Sequence, residues 1–238
     1  MSTDYVTLVT SLPYLGDLFD MRVPPISRLQ LDKRLSMLNA DDQALLLMIE
    51  NLLQWDHLDD VLGESGQDEL LIKAADELLL RLTSDPALNT VLDVVRNRLD
   101  MRSIVAALRY RARGVDVDIV DGRGRWSYGH FDDHIRRHWD HPTFALDFRF
   151  SWVKSVHDAM SKNNVYDVEK TLLSVSWKSI TLAQQEHTFD FVAVILYVLK
   201  WNIAMRWQSY EHDRAFERFT QLVDDSFCGK YTLIAKGL

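Results

Sequence analysis

Apolar residues return at helical spacing through almost the whole chain, and that periodicity restricts the fold more than any single motif. The stretch QDELLIKAADELLLRL sets Leu70, Leu71, Ala74, Leu78 and Leu82 along one face of a helix. PPISRLQLDKRLSML does the same with Ile26, Leu29, Leu31, Leu35 and Leu38, behind Pro24 and Pro25. NADDQALLLMIENLLQW opens with Asn39 or Asp41 as N-cap and acids in the first turn. SDPALNTVLDVVRNRLDMRSIVAALRYRARG has Asp85 as cap, Pro86 at the first helical position and Gly114 as stop. It reads as one long helix, or as two that meet near Asp100.

From Val115 to His141 the period is lost. GVDVDIVDGRGRWSYG carries glycines and charges and reads as a loop or short hairpin. Helical patterns resume over Phe144 to Ser161, Tyr166 to Gln185, Phe189 to Tyr210 and Asp213 to Asp225. Only YVTLVTSL at the start and KYTLIAKGL at the end suit extended chain. The expectation is an all-α multi-helix bundle, a single domain over 1–238. Its two helical groups, possible subdomains 1–114 and 142–238, are joined by an irregular connector, 115–141.

Composition bounds the function. Hydrophobic residues make up 47 % of the 238, with only 9 glycines and 5 prolines, so the chain reads as folded. Its formal net charge is −8, which lacks the positive field that drives nucleic-acid binding. The single cysteine, Cys228, excludes an internal disulfide and a multi-thiolate zinc site, as suits a reducing cytoplasm. FVAVILYVL, from Phe191 to Leu199, is followed at once by Lys200. It falls well short of the roughly 20 apolar residues a membrane span needs. The N-terminal apolar run has no basic leader, so no signal peptide is expected.

The densest cluster of potential ligands is HFDDHIRRHWDH, His130 to His141. His130, His134 and His138 recur every fourth residue and would share one face of a helix, which makes them candidate metal ligands. Against this, Arg125, Arg136 and Arg137 crowd the run, and no acid is obviously placed to orient the rings. The competing reading is an exposed turn of helix docked through Ile135 and Trp139. A metal-dependent phosphohydrolase pattern, His134, then His157-Asp158, then Asp213, is a second enzymatic reading. Other catalytic signals fail. DGRGRW has neither the lysine nor the flanking elements of a phosphate loop, no Gly-x-Ser-x-Gly elbow occurs, and Cys228 has no evident base.

Two further patterns stand out. RNRLDMRSIVAALRYRARG gathers Arg96, Arg98, Arg102, Arg109, Arg111 and Arg113 into an otherwise acidic chain. With Ile104, Val105 and Leu108 turned to the core, the arginines are expected to fan outward or to cap the helix C-terminus. They form either a solvated face or a docking surface for an acidic partner. Arg102, Arg109, Arg111 and Arg113 are the candidate partner-binding residues. Trp177, Phe189, Phe191, Tyr197, Trp201, Trp207, Phe216 and Phe219 recur at helical intervals and are expected in the core. Lys200 and Arg206 are expected to run their stems along that core and keep their charge outside.

The segment LLSVSWKSITLAQQEHTFDFVAVILYVLKWNIAMRWQSYEHDRAFERFTQL, Leu172 to Leu222, resembles the C-terminal part of a bacterial family related to the C-subunit of V/A-type ATPases, called d in eukaryotes. The matching features are Trp177, Thr188 to Phe191, Tyr197 to Arg206-Trp207, and Phe219. YVTLVTSLPYL is similar to that family's N-terminus, and LDMRSIVAALRYRARG resembles its mid-chain helix; Ser103 and Ala215 depart from its pattern. The chain is also shorter than the full-length ATPase component. The resemblance implies an all-helical, non-catalytic coupler without a cofactor. It would sit at the cytoplasmic face of the inner membrane, join the central stalk to the membrane rotor ring, and have the other V/A-type ATPase components as partners.

Overall fold

The computed structural model describes residues 5–21, 23–53, 65–115 and 129–234, apart from the side chains of 65–71 and 213–234. Among these residues there are helices and turns and no strand. The helices are α1 (Tyr5–Ser11), α2 (Arg28–Leu35), α3 (Ala40–Leu52), α4 (Ser65–Thr83), α5 (Asn89–Ala112), α6 (Asp132–Arg137), α7 (Ser151–Ser161), α8 (Val165–Ala183) and α9 (Phe191–Ile234). No helix among the described residues is long and apolar enough to cross a membrane.

Local chemistry sets several of the helix starts. Ser27 begins α2 with a reciprocal capping box to Gln30, and the Asn39 side chain accepts from the Asp42 amide to begin α3. Asp85 caps a 3-10 turn, Pro86–Leu88, that leads into α5. α5 then runs unbroken through Asp100 and stops at Gly114, whose φ of 69° is a left-handed conformation that suits glycine.

Four sequence expectations are corrected. YVTLVTSL is helical, not extended, because Leu8 docks fully buried into the core. The tail is helical as far as Ile234, since α9 is one helix of 44 residues where two were expected. The helix expected from Phe144 begins only at Ser151. Phe144 and Ala145 sit at φ 52° and 53°, which right-handed helix cannot contain, and turns fill the interval. The histidine run is helical only over Asp132–Arg137, so His130 precedes the helix and His138 is its C-cap. Most of the expected connector, 116–128, lies outside the described residues.

The core is continuous from Leu8 to Trp207. α8 and α9 pack antiparallel, with the Tyr166 ring at the start of α8 against Trp207 and Tyr210 of α9. The N-terminal segments are tied onto α9 by polar bonds. The Tyr197 hydroxyl donates to the Pro13 carbonyl at 2.9 Å, and the Trp201 indole N–H donates to the Ile26 carbonyl at 2.8 Å. α5 runs through the middle with Ile104, Val105, Ala107 and Leu108 buried. Each larger aliphatic removed from water contributes about 1.5–3 kcal/mol. Of the aromatic stripe, Trp177, Trp201 and Trp207 are buried and Phe191 and Tyr197 partly so. Phe189 is exposed, and the side chains of Phe216 and Phe219 lie outside the described set.

Candidate functional site: a cleft lined by arginine

Polar residues on the inward faces of α5, α8 and α9 border a cleft of about 690 Å³. α2 and α3 close one end of it and the start of α7 forms another wall. Its charged lining comprises four arginines, Arg28, Arg98, Arg149 and Arg206, and two carboxylates, Glu50 and Asp100. Met101, Ile104, Trp152 and Ile203 supply much of the apolar surface.

Glu50 anchors the α2–α3 end. Its carboxylate is buried and receives both terminal nitrogens of Arg28, at 2.7 and 3.1 Å, and the Asn202 amide at 2.9 Å. That two-pronged geometry is the strong form of a charge-assisted bond. The hydrogen bond to Glu50 is the main reason the Arg28 guanidinium is held above its ordinary pKa. In the centre, Arg98 Nη1 donates to the Ser176 hydroxyl at 2.8 Å. Burial pulls the Arg98 pKa down to about 9, with Glu169 opposing and Arg102 adding to the shift, so the group stays charged at neutral pH. Arg206 pairs with Glu169 at 2.9 Å. Arg149 lies over the rings of Phe131 and Phe150, 5.1 and 5.6 Å from their centroids.

Asp100 fastens the chain that returns after the connector. Its carboxylate accepts from the His130 amide at 2.7 Å and stands 3.3 Å from His130 Nδ1. The backbone at Gly129 lies so close that a Cβ there would meet Asp100 Oδ1 at 2.5 Å and the Asp100 Cα at 3.1 Å. Glycine is required by that approach.

The histidines do not converge. His130 is turned to Asp100, an acidic partner the sequence did not reveal. The rings of His134 and His138 stack on each other at 4.2 Å, and His138 Nδ1 lies 2.9 Å from the His134 carbonyl oxygen. His134 Nε2 is buried with no hydrogen-bond partner among the described residues. Among those residues no three His, Cys, Asp or Glu side chains are grouped to hold a metal. Ile135 and Trp139 dock as expected. His157 and Asp158 are neighbours on α7, 3.4 Å apart, and the Asp213 side chain lies outside the described set.

The arginines do not all fan outward. Arg102 is 7 % exposed, because α5 is buried on nearly every side at this level and offers that residue no solvent face. Arg109 is partly buried. Arg111 donates to the Asp140 and His141 carbonyls, holding the segment after α6 against the end of α5. Arg113 is exposed. Lys200 is also buried, against expectation. Its ammonium lies 4.3 Å from the centroid of the Trp177 ring, and burial lowers its pKa.

One arrangement had no signal across the sequence. His187 Nδ1 lies 2.6 Å from Asp190 Oδ2, and its Nε2 lies 2.9 Å from the Thr90 hydroxyl at the start of α5. Asp190 Oδ1 also accepts from the Ala193 amide in the first turn of α9. The His-x-x-Asp spacing in EHTFD marks half of this link, but nothing marks Thr90, 97 residues away. Asp190 is occupied as a helix cap, and the three side chains join the α8–α9 turn to α5.

Over residues 26–227 the chain matches the family model described as "Protein of unknown function (DUF2764)", and it belongs to that family. No curated protein and no solved structure matches it.

Proposed function

We propose that this protein is a non-catalytic helical adaptor of a bacterial V/A-type rotary ATPase. In this reading it couples the central stalk to the membrane rotor ring, at the cytoplasmic face of the inner membrane. The resemblance of Leu172 to Leu222 to the C-subunit of those enzymes motivates it. The observation that carries it is the construction of α9, where that resemblance is concentrated. At 1.5 Å per residue its 44 residues extend about 66 Å, against about 28 Å for the 19 residues of α8. The first part of α9 is set into the core through Val194, Ile195, Leu196, Val198 and Trp201. The helix then continues some 24 residues past Tyr210, whose ring still contacts α8. A long helix whose first part is anchored in the core can serve as a lever, and a coupler needs a stiff one. Torque transmission would fall to α9 and the α8 helix packed on it, and partner contact to exposed positions such as Arg113.

Co-expression with the stalk and ring components, followed by affinity purification through this chain, tests the reading. Stoichiometric recovery of those components is expected. Recovery of the protein alone, from cells in which the rest of the complex assembles, would overturn it.

A further inference from the structure

We infer that the cleft between α5, α8 and α9 is a binding site for a small amphipathic anion: one carboxylate, phosphate or sulfonate group on an apolar body. The inference is independent of any place in an ATPase. A volume of about 690 Å³ falls within the range of small-molecule sites, roughly 300–1,000 Å³. The lining is the kind such sites have, with apolar walls of Met101, Ile104, Trp152 and Ile203 and a few convergent polar groups.

The sign of the ligand follows from the charges. In a chain of net −8, this lining holds four arginines against two carboxylates; Arg28 is paired with Glu50 and Arg206 with Glu169, which leaves Arg98 and Arg149 as the cations to meet a ligand. The carboxylates are also engaged already. Glu50 receives Arg28 from two nitrogens together with Asn202, and Asp100 accepts the His130 amide. Arg98 is partly buried between α5 and α8, where it donates to the Ser176 hydroxyl at 2.8 Å and feels the Glu169 carboxylate. Arg149 stands at the α7 wall, laid over Phe131 and Phe150. An anionic head beside Arg98, in a cleft that Arg149 also lines, would gain charge-assisted bonds that strengthen as the ligand displaces water. Its apolar part would then cover Ile104 and Ile203. The desolvation that lowers the Arg98 pKa is relieved by such a head, which gives the site a preference for anions over neutral molecules.

The test uses the full chain and the fluorescent anion 8-anilinonaphthalene-1-sulfonate, with the uncharged N-phenyl-1-naphthylamine as comparator. Saturable one-site binding is expected, at least tenfold tighter for the anion. Arg98→Gln should weaken it at least tenfold. Ser179→Trp, which fills the cleft from α8, should abolish it, while Lys178→Trp at the exposed neighbouring position leaves it intact. If Arg98→Gln does not fold, the anion preference and the two tryptophan variants decide. Absence of saturable binding, equal affinity for the neutral dye, or binding untouched by Ser179→Trp would each overturn the site.

Discussion

α5 and α6 both attract attention in the sequence as clusters of cationic or ionisable side chains at helical intervals, yet the fold uses them in opposite ways. α5 runs through the middle of the bundle, so its Arg98, Asp100 and Arg102 are drawn inward to border a cleft or brace the core. α6 is six residues long and peripheral, held by Ile135, and its histidines are spent on stacking and on a helix end. Spacing alone does not tell a site from a surface. The apolar residues between the polar ones do. In α5 these are Val91, Leu92, Val94, Val95, Leu99, Met101, Ile104 and Val105, which surround the helix. In α6 there is one.

Gly129 joins the two regions and offers the sharpest way to break the contrast. Gly129→Val would force a side chain into Asp100 and displace His130 from the carboxylate. A loss of about 1–3 kcal/mol in urea unfolding is expected. An unchanged midpoint would mean that α5 does not clamp the returning chain. The inward-facing polar groups should also show themselves in alkali. The Tyr197 pKa is pushed up to about 12, chiefly by burial, against 10 in the unfolded chain. Between those values the folded state keeps a proton the unfolded state has lost, so stability falls as pH rises from 10 to 12. Lys200 acts in the opposite sense below its ordinary 10.5, since its lowered pKa makes the unfolded state bind more protons there. Tyr197→Phe should flatten the upper limb by on the order of 1 kcal/mol once solvent screening is discounted. Chemical denaturation at three pH values spanning that alkaline window measures it; a wild-type curve flat across the window counts against a buried hydroxyl. The smallest effect is expected on α6. His134→Ala should alter stability by about 0.5 kcal/mol or less. Elemental analysis of untagged protein should give the same metal content for variant and wild type. Stoichiometric metal lost on this substitution would make α6 the site and leave α5 a scaffold.

Much of the fold was legible because it rests on local rules. Asn39, Asp85 and Gly114 act where capping chemistry places them, and the apolar period marks the helices. The break near Phe144 was hidden, since two non-glycine residues adopt left-handed φ there with no glycine to announce it. The site was legible only in its ingredients. Arg98 and Arg102 are plain in the sequence, but their inward direction follows from α8 and α9 packing over them. Glu50 comes from a helix about 50 residues earlier, and the link from His187 to Thr90 spans 97. Contacts between distant segments carry no local pattern from which to read them.

The pair at Phe144 and Ala145 has a wider consequence. Holding L-residues in that conformation costs roughly 1–2 kcal/mol apiece, a cost offset here by seating the Phe144 ring, fully buried, beside Trp139. The turn is thereby a phase marker for everything downstream. A residue gained or lost between it and Ser151 would rotate the α7 face by about 100° and swing Trp152 out of the cleft wall. The geometry of the cavity is thus dialled by a bend the cavity never touches.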